Sequence, residues 1–326
     1  MILVGASSFC HFRTIQGAVD FLEQTASGEQ ETICILPGIY EEQVIIYRSN
    51  LKMVGIGAVE LTMNRYAKEL DEDGNEIGTF ATPTLFLGGE RLVVENMTIS
   101  NTAGMGEHIG QAVAVYAHCD QTVFRNCVFK GHQDTLFTGP LPPKPKERAQ
   151  FGGVPIREQH DHYRQLYQNC YIEGTVDFIF GGATAYFDGC NIHSLLQAPG
   201  KRGYLTAAST PIGQQYGYVF CGCFITADPG VSEVFLGRPW REYAQTVFVN
   251  CQMSEHIHPL GWDHWDNPAN EQTVDYREYG PAEMMTAISK SRVAWARCEA
   301  LEEAADNPAA DYALEQVFAG TDFWRN

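Results

Sequence analysis

Positive charge is scarce in this chain: 22 Lys and Arg stand against 40 Asp and Glu, a formal charge of −18 over 326 residues. Nucleic-acid binding depends on Lys and Arg neutralising phosphates, so no nucleic-acid partner is expected. The same imbalance repels a fully ionised polyanion and favours a polymer whose carboxylates are masked as neutral esters. Long apolar runs are also missing. No stretch approaches the roughly 18 residues of a membrane span, and no membrane partner is expected. The first residues, MILVGASSFCHFRTIQ, lack the basic and long apolar regions of a secretory signal. The expected compartment is cytoplasmic, or extracellular if a leader has been removed.

Metal and disulfide signatures are absent too. The ten cysteines form no paired CxxC framework and no mini-protein pattern, and read as buried free thiols in a reducing compartment. The acidic run ELDEDGNE (69–76) does not match an EF-hand loop and reads as a solvated hairpin tip. His160-Asp161-His162 and His256-Ile257-His258 read as solvated loop pairs. No metal and no cofactor is expected, and a monomer is.

What is present is a repeat. VVENMTIS (93–100), TVFRNCVFKG (122–131), QLYQNCYIEG (165–174), AYFDGCNIHS (185–194), YVFCGCFITA (218–227) and TVFVNCQMSE (246–255) share one pattern. Apolar or aromatic residues lead into Asn or Gly, then Cys or Met, then a short strand-like run. The turn positions Asn96, Asn126, Asn169, Gly189, Gly222 and Asn250 lie 30, 43, 20, 33 and 28 residues apart. Asn and Gly tolerate left-handed backbone angles, and a coil of this kind buries its apolar face only by stacking on its neighbours. The expected fold is all-β, a parallel β-helix, with Cys127, Cys170, Cys190, Cys223 and Cys251 in an interior ladder. Irregular spacing fits loops of variable length on one side.

The whole chain, 1–326, reads as one domain. FRTIQGAVDFLEQ (12–24) places Ile15, Ala18, Val19 and Leu22 on one helix face, a cap for the open end of the solenoid. Residues 281–326 read as a C-terminal helical cover, with helical spacing around Val293, Ala296 and Leu301. The Pro-, Gly- and charge-rich stretch 138–160 reads as a loop inserted between coils.

Three segments place charge inside apolar strand-like runs: GHQDTLF (131–137), GTVDFIFGG (174–182) and FLGRPW (235–240). Asp177, between Val176 and Phe178, loses most of its solvation and needs a partner. Arg238 is the evident one, because a guanidinium holds a carboxylate by two hydrogen bonds. A structural ion pair is the competing reading for any single segment.

In order along the chain, GIYEEQV (38–44), QAVAVY (111–116), GHQDTLF, GTVDFIFGG and LGRPW resemble the signatures of the pectin methylesterases, or pectinesterases. The resemblance extends from FRTIQGAVDF to EYGP (278–281) and FAGTDFW (318–324). It implies a right-handed parallel β-helix and a metal-independent ester hydrolase acting on methyl-esterified homogalacturonan or its oligosaccharides. It implies Asp177 as nucleophile, Asp134 as general acid and base, Gln111 and Gln133 as the oxyanion hole, and Arg238 as the group orienting the nucleophile. Trp240 is implied in the sugar cleft. Phe178, Tyr243 and His132 are further candidate substrate contacts, with core packing the competing reading for Phe178. His132 and Phe137 stand where the family usually has Tyr, and Ala208 where many members have Gln. Other β-helix activities, a lyase or a glycosidase, and a non-catalytic carbohydrate binder are the rival readings.

Overall fold

Short apolar runs broken by Asn or Gly fold here into stacked coils, each contributing up to three strands. The computed structural model describes residues 1–25, 28–146, 149–198, 200–301 and 308–325. Its strands form three parallel sheets of eleven, eight and seven strands, every neighbour being one coil away. The architecture is the right-handed parallel β-helix expected from the repeat and the family signatures.

The turn between the eleven- and eight-stranded sheets is made by the anticipated residues. Asn96, Asn126, Asn169 and Asn250 take φ of 57°, 50°, 51° and 51°, and Gly189 and Gly222 both take 60°. One residue later the expected thiol ladder turns inward. Cys127, Cys170, Cys190, Cys223 and Cys251 are buried and unpaired. Each thiol donates to a carbonyl of the preceding coil, Val94, Phe124, Tyr167, Phe187 and Phe220 respectively, at 3.2–3.6 Å. Beside the ladder runs an aromatic stack, Phe124, Tyr167, Phe187, Phe220 and Phe248, with centroids 4.3–4.9 Å apart. Pairs of this kind add ~1 kcal/mol each beyond their burial.

The ends differ in how closely they follow expectation. The helix Ile15–Glu23 buries Ile15, Ala18, Val19 and Leu22, with Thr14 as its N-cap. Gln16 from this helix pairs with both backbone groups of Ile45, at 2.7 and 3.2 Å. The open edge of the first strand of the seven-stranded sheet is thus occupied, which blunts edge-to-edge association. At the other end the helical cover is only partly present. Ala282–Ile288 and Leu314–Val317 are helical, but Arg297–Ala300 is a strand paired with Asp275–Gly280. The unpaired edge of the large sheet recruits this segment and overrides the helical spacing of Val293, Ala296 and Leu301. The last residues lie over the outer face of the large sheet, where Val317, Phe318 and Phe323 join Val123, Leu166, Tyr186 and Val219. Residues 302–307, within the expected cover, lie outside the described residues.

No helix among the described residues is long and apolar enough to cross a membrane. The acidic run is a hairpin tip: Leu70 and Glu76 form an antiparallel bridge, and the Asp71 carboxylate accepts from the N–H groups of Asp73 and Asn75.

Candidate active site

Asp134 and Asp177 occupy the same turn on neighbouring coils. Each lies two residues before a strand of the seven-stranded sheet, and the pairing of Leu136 with Ile179 sets the acids in register. Both adopt left-handed backbone, φ 66° and 51°, a conformation that Asp and Asn tolerate better than most residues. The N–H of Asp134 donates to Val176 O at 3.1 Å, locking one turn to the next. Gln133 is the neighbour of Asp134, and Gln111 comes from the coil before, where the Ala112 N–H donates to Gln133 O. Arg238 arrives from a later coil, its N–H bonded to Thr206 O at 3.0 Å.

These five side chains line one cleft of about 460 Å³ on the outer wall of the solenoid, together with Trp240. Arg238 Nε donates to Asp177 Oδ1 at 2.8 Å and Nη2 to Oδ2 at 2.7 Å, the bidentate pair inferred from the sequence. The guanidinium lies between two rings, 3.9 Å from the centroid of Tyr204 and 3.8 Å from that of Trp265. Among the described residues no protein group bonds the side-chain amide of Gln111 or Gln133, so both are available to a ligand. Phe86, Tyr116, Phe137 and Phe180 form a buried ladder in register on successive strands, and of these Phe180 lines the cleft. Phe80 covers Tyr116 and Phe137 edge-on or tilted, 5.1–5.5 Å away.

The electrostatics separate the two acids. Burial, then the charge of Asp177, push the Asp134 carboxyl well above the usual carboxylate range, with Arg238 pulling weakly against them. Burial also raises Asp177, which stays above its ordinary value, but its two hydrogen bonds to Arg238 and the guanidinium charge oppose the shift directly and hold it below that of Asp134. Burial alone would lower Arg238; its bonds to Asp177 more than offset this, and it stays charged. A pair of carboxyls whose environments differ in this way favours the proton on Asp134 and the charge on Asp177.

The raised Asp134 value carries a stability consequence. Unfolded, the carboxyl ionises in the ordinary range; folded, it keeps its proton to higher pH. Its contribution is therefore fully present below the unfolded value and lost as pH rises through the folded one. Asp134→Asn, which also suits φ 66°, is expected to be more stable than wild type at neutral pH by at least ~1 kcal/mol. The difference should shrink below about pH 4, where Asp134 is protonated in both states. Thermal melts of both proteins across pH check this; a variant no more stable at pH 7 would contradict it.

Three candidate substrate contacts lie elsewhere. Phe178 is fully buried in the interior cluster, because the left-handed turn at Asp177 rotates the next side chain inward. The aromatic at the cleft is Phe180. Tyr243 is partly exposed and is not among the residues lining the cleft. His132 is also absent from the lining; burial lowers its pKa, and Nδ1 has no partner among the described residues. Of the two histidine pairs, His162 is exposed on a loop as expected and His258 is half-buried beside Glu233, but the first member of each is buried. His160 is buried, 3.3 Å from Glu90 and 3.1 Å from Gly88 O, and His256 is buried with neither ring nitrogen hydrogen-bonded among the described residues. Among the described residues no group of three or more His, Cys, Asp or Glu could hold a metal ion. Tyr204 and Trp265, which sandwich the guanidinium, went unnoticed in the sequence. The dense aromatic run GWDHW (261–265) was the only signal for Trp265.

A buried acid beside a guanidinium-paired carboxylate, with amide donors in the same cleft on a right-handed β-helix, is an arrangement that can hydrolyse a carboxylic ester. The Pectinesterase family model matches residues 1–141 and 159–321. "Pectinesterase 31" of Arabidopsis thaliana is 32% identical over 305 residues, covering 90% of this chain and 84% of its own length. "Probable pectinesterase/pectinesterase inhibitor 64" of the same plant is 34% identical over 307 residues, covering 88% of this chain but only 46% of that longer protein. Among solved structures, "Pectin methylesterase from Carrot" superposes with a TM-score of 0.78 at 28% identity, covering 98% of this chain and 93% of its own. A pectin methylesterase solved in complex with a hexasaccharide has a TM-score of 0.76 at 27% identity, covering 98% and 97%. The chain belongs to the pectinesterase family.

Proposed function

We propose that this protein hydrolyses the C6 methyl ester of galacturonate units in homogalacturonan or its oligosaccharides, releasing methanol and leaving a free carboxylate. The observation that carries the reading is the Asp177–Arg238 pair beside a buried, proton-retaining Asp134 and two unengaged amides in one cleft. The hexasaccharide complex of a structural relative supports a sugar chain as occupant.

Arg238 holds Asp177 ionised and aimed, as an activated nucleophile requires. An Asp177 oxygen attacks the C6 carbonyl carbon, and the negative charge collecting on the carbonyl oxygen is met by the amides of Gln111 and Gln133. Collapse of the intermediate breaks the bond to the methoxy oxygen, which takes the Asp134 proton and leaves as methanol. Asp134, now a base, accepts a proton from water as that water attacks C6 and frees Asp177. Methanol measured from methyl-esterified pectin tests the activity. A rise in unsaturated-uronate absorbance without methanol would indicate a lyase instead.

Each amide should matter in the transition state more than in binding. Gln111→Ala and Gln133→Ala are each expected to lower kcat about 10²-fold with KM little changed. Unchanged kcat in either would remove that residue from the oxyanion site. The charge of −18 predicts a second result: faster methanol release from highly than from sparsely methylated pectin, the gap narrowing as salt screens the repulsion. Equal rates at low salt would contradict it. The ten free cysteines support a reducing compartment as the working site of a monomer, testable by fractionating the host and by sedimentation.

A further inference from the structure

A guanidinium is flat, and its donors lie in the plane of the fork. Turning Arg238 out of that plane would break both of its bonds to Asp177, at 2.8 and 2.7 Å. The rings of Tyr204 and Trp265, 3.9 and 3.8 Å from the guanidinium carbon, oppose the turn. They come from different coils and share one anchor. Asp263 Oδ1 accepts from the Trp265 N–H at 2.6 Å, and Oδ2 accepts from Tyr204 Oη at 3.4 Å.

The surroundings of each partner show why an anchor is needed and why Asp263 can serve. Tyr204 stands one coil beyond Asp177 in the equivalent place, since Thr206 pairs with Ile179. It is buried, and its ring stacks on its register partner Phe235 at 5.4 Å. Trp265 has less support from its backbone. It and Asp266 are consecutive non-glycine residues at φ 55° and 54°, a conformation that bulky side chains resist. Backbone of that kind persists where a specific contact holds it, and the bond to Asp263 is such a contact. Asp263 itself springs from a rigid base. Its N–H donates at 3.1 Å to the carbonyl of Gly237, the residue before Arg238. The preceding Trp262 is buried, stacks on Tyr276 at 4.1 Å and donates from Nε1 to Glu278 at 3.3 Å.

We propose that Asp263 is a positioning residue of this site: it fixes Trp265 and Tyr204 so that their rings keep the Arg238 guanidinium in the plane in which it grips Asp177. This deepens, and rests on, the reading of Asp177 as the nucleophile of an esterase. Asp263 touches neither Asp177 nor Asp134 by a hydrogen bond and does not line the cleft; it acts through Arg238. Its charge leaves a separate trace. Burial raises Asp177 most, Arg238 and Lys146 oppose that rise, and Asp263 adds to it. Asp134 is the other acid facing the nucleophile. A like charge disfavours ionisation, so neutralising Asp263 without loosening the rings should let Asp177 ionise at lower pH.

The test is the pH dependence of methanol release from highly methyl-esterified pectin by three variants, with circular dichroism as a check on folding. Asp263→Ala removes the anchor and should lower kcat about tenfold. In Asp263→Asn the amide oxygen still accepts from the Trp265 N–H, so most of that loss should be recovered. Its acidic limb should lie below that of wild type. In Asp263→Ala the slackened guanidinium works the other way, so its limb should lie above that of Asp263→Asn. Tyr204→Leu takes away one ring and leaves Asp263 in place; kcat should fall by a similar factor with KM unchanged, because Tyr204 does not line the cleft. This variant decides the matter if Asp263→Ala fails to fold. Wild-type kcat in folded Asp263→Ala or in Tyr204→Leu overturns the proposal. So does an Asp263→Asn variant as slow as Asp263→Ala, or an acidic limb no higher in Asp263→Ala than in Asp263→Asn. Absence of methanol with the wild-type protein would instead refute the esterase reading itself.

Discussion

Asp177→Asn is expected to abolish methanol release, by a factor on the order of 10⁴ or more, while the protein stays folded. The size of the loss follows from the role: with no carboxylate to attack the ester, only binding and the amide donors remain. The preserved fold follows from local geometry. Asn is among the few residues that accept the left-handed backbone found at position 177, φ 51°. Its amide oxygen can still accept one hydrogen bond from Arg238. The interior stack and the thiol ladder do not touch this side chain. Circular dichroism and a thermal melt beside the methanol assay separate the two effects. Wild-type-like turnover in a folded variant would remove Asp177 from the mechanism.

Arg238→Ala should be damaging in two ways at once. The Asp177 and Arg238 side chains are only 8% and 18% exposed. Removing one partner of a buried pair leaves an uncompensated charge, at a cost of ~3–5 kcal/mol. The lost guanidinium also leaves a gap between Tyr204 and Trp265. In activity, the carboxylate loses its aim and the charge that keeps it ionised. Its pKa should rise further, so kcat should fall about 10³-fold and the remaining activity should begin at higher pH than in wild type. Arg238→Lys should recover charge but not the two-pronged bond, and should remain well below wild type. Two measurements distinguish this from simple destabilisation. The acidic limb of the pH–rate profile should move upward, and adding Asp177→Asn to Arg238→Ala should restore part of the lost stability. An unmoved acidic limb would mean that Arg238 does not control the ionisation of Asp177.

Much of the fold was legible because it repeats. Six turn residues of only two types, each before a thiol or thioether, mark successive coils, and the backbone requires left-handed angles at each of them. Asp134, Asp177 and Arg238 were legible because each sits in a local motif that breaks an apolar run with charge, whereas the roles of Gln111 and Gln133 were implied by the family resemblance alone. Other features depend on what one coil does to another and leave little local trace. Phe178, named as a substrate contact with core packing as the default reading, lies in the core because the left-handed Asp177 resets the in–out alternation by one residue, which strand periodicity does not show. Tyr204 and Trp265 act only by enclosing a guanidinium carried on a different coil. His160 sits on a loop in sequence but is drawn inside by Glu90 and Gly88, some 70 residues earlier. The helical spacing near Val293 was real, but an unpaired sheet edge outcompeted it.

The central claim is that successive coils deliver the nucleophile, the acid and both amides to one ester. A crystal structure of the Asp134→Asn variant with a methyl-esterified hexagalacturonate bound tests it directly, because the variant keeps the nucleophile but lacks the proton that releases methanol. The C6 carbonyl carbon of one unit is expected within ~3–3.5 Å of an Asp177 carboxylate oxygen. Its carbonyl oxygen should face the amide nitrogens of Gln111 and Gln133 at ~3 Å. A sugar chain seated on another face of the solenoid, or an ester carbonyl turned away from Asp177 and both amides, would contradict the account.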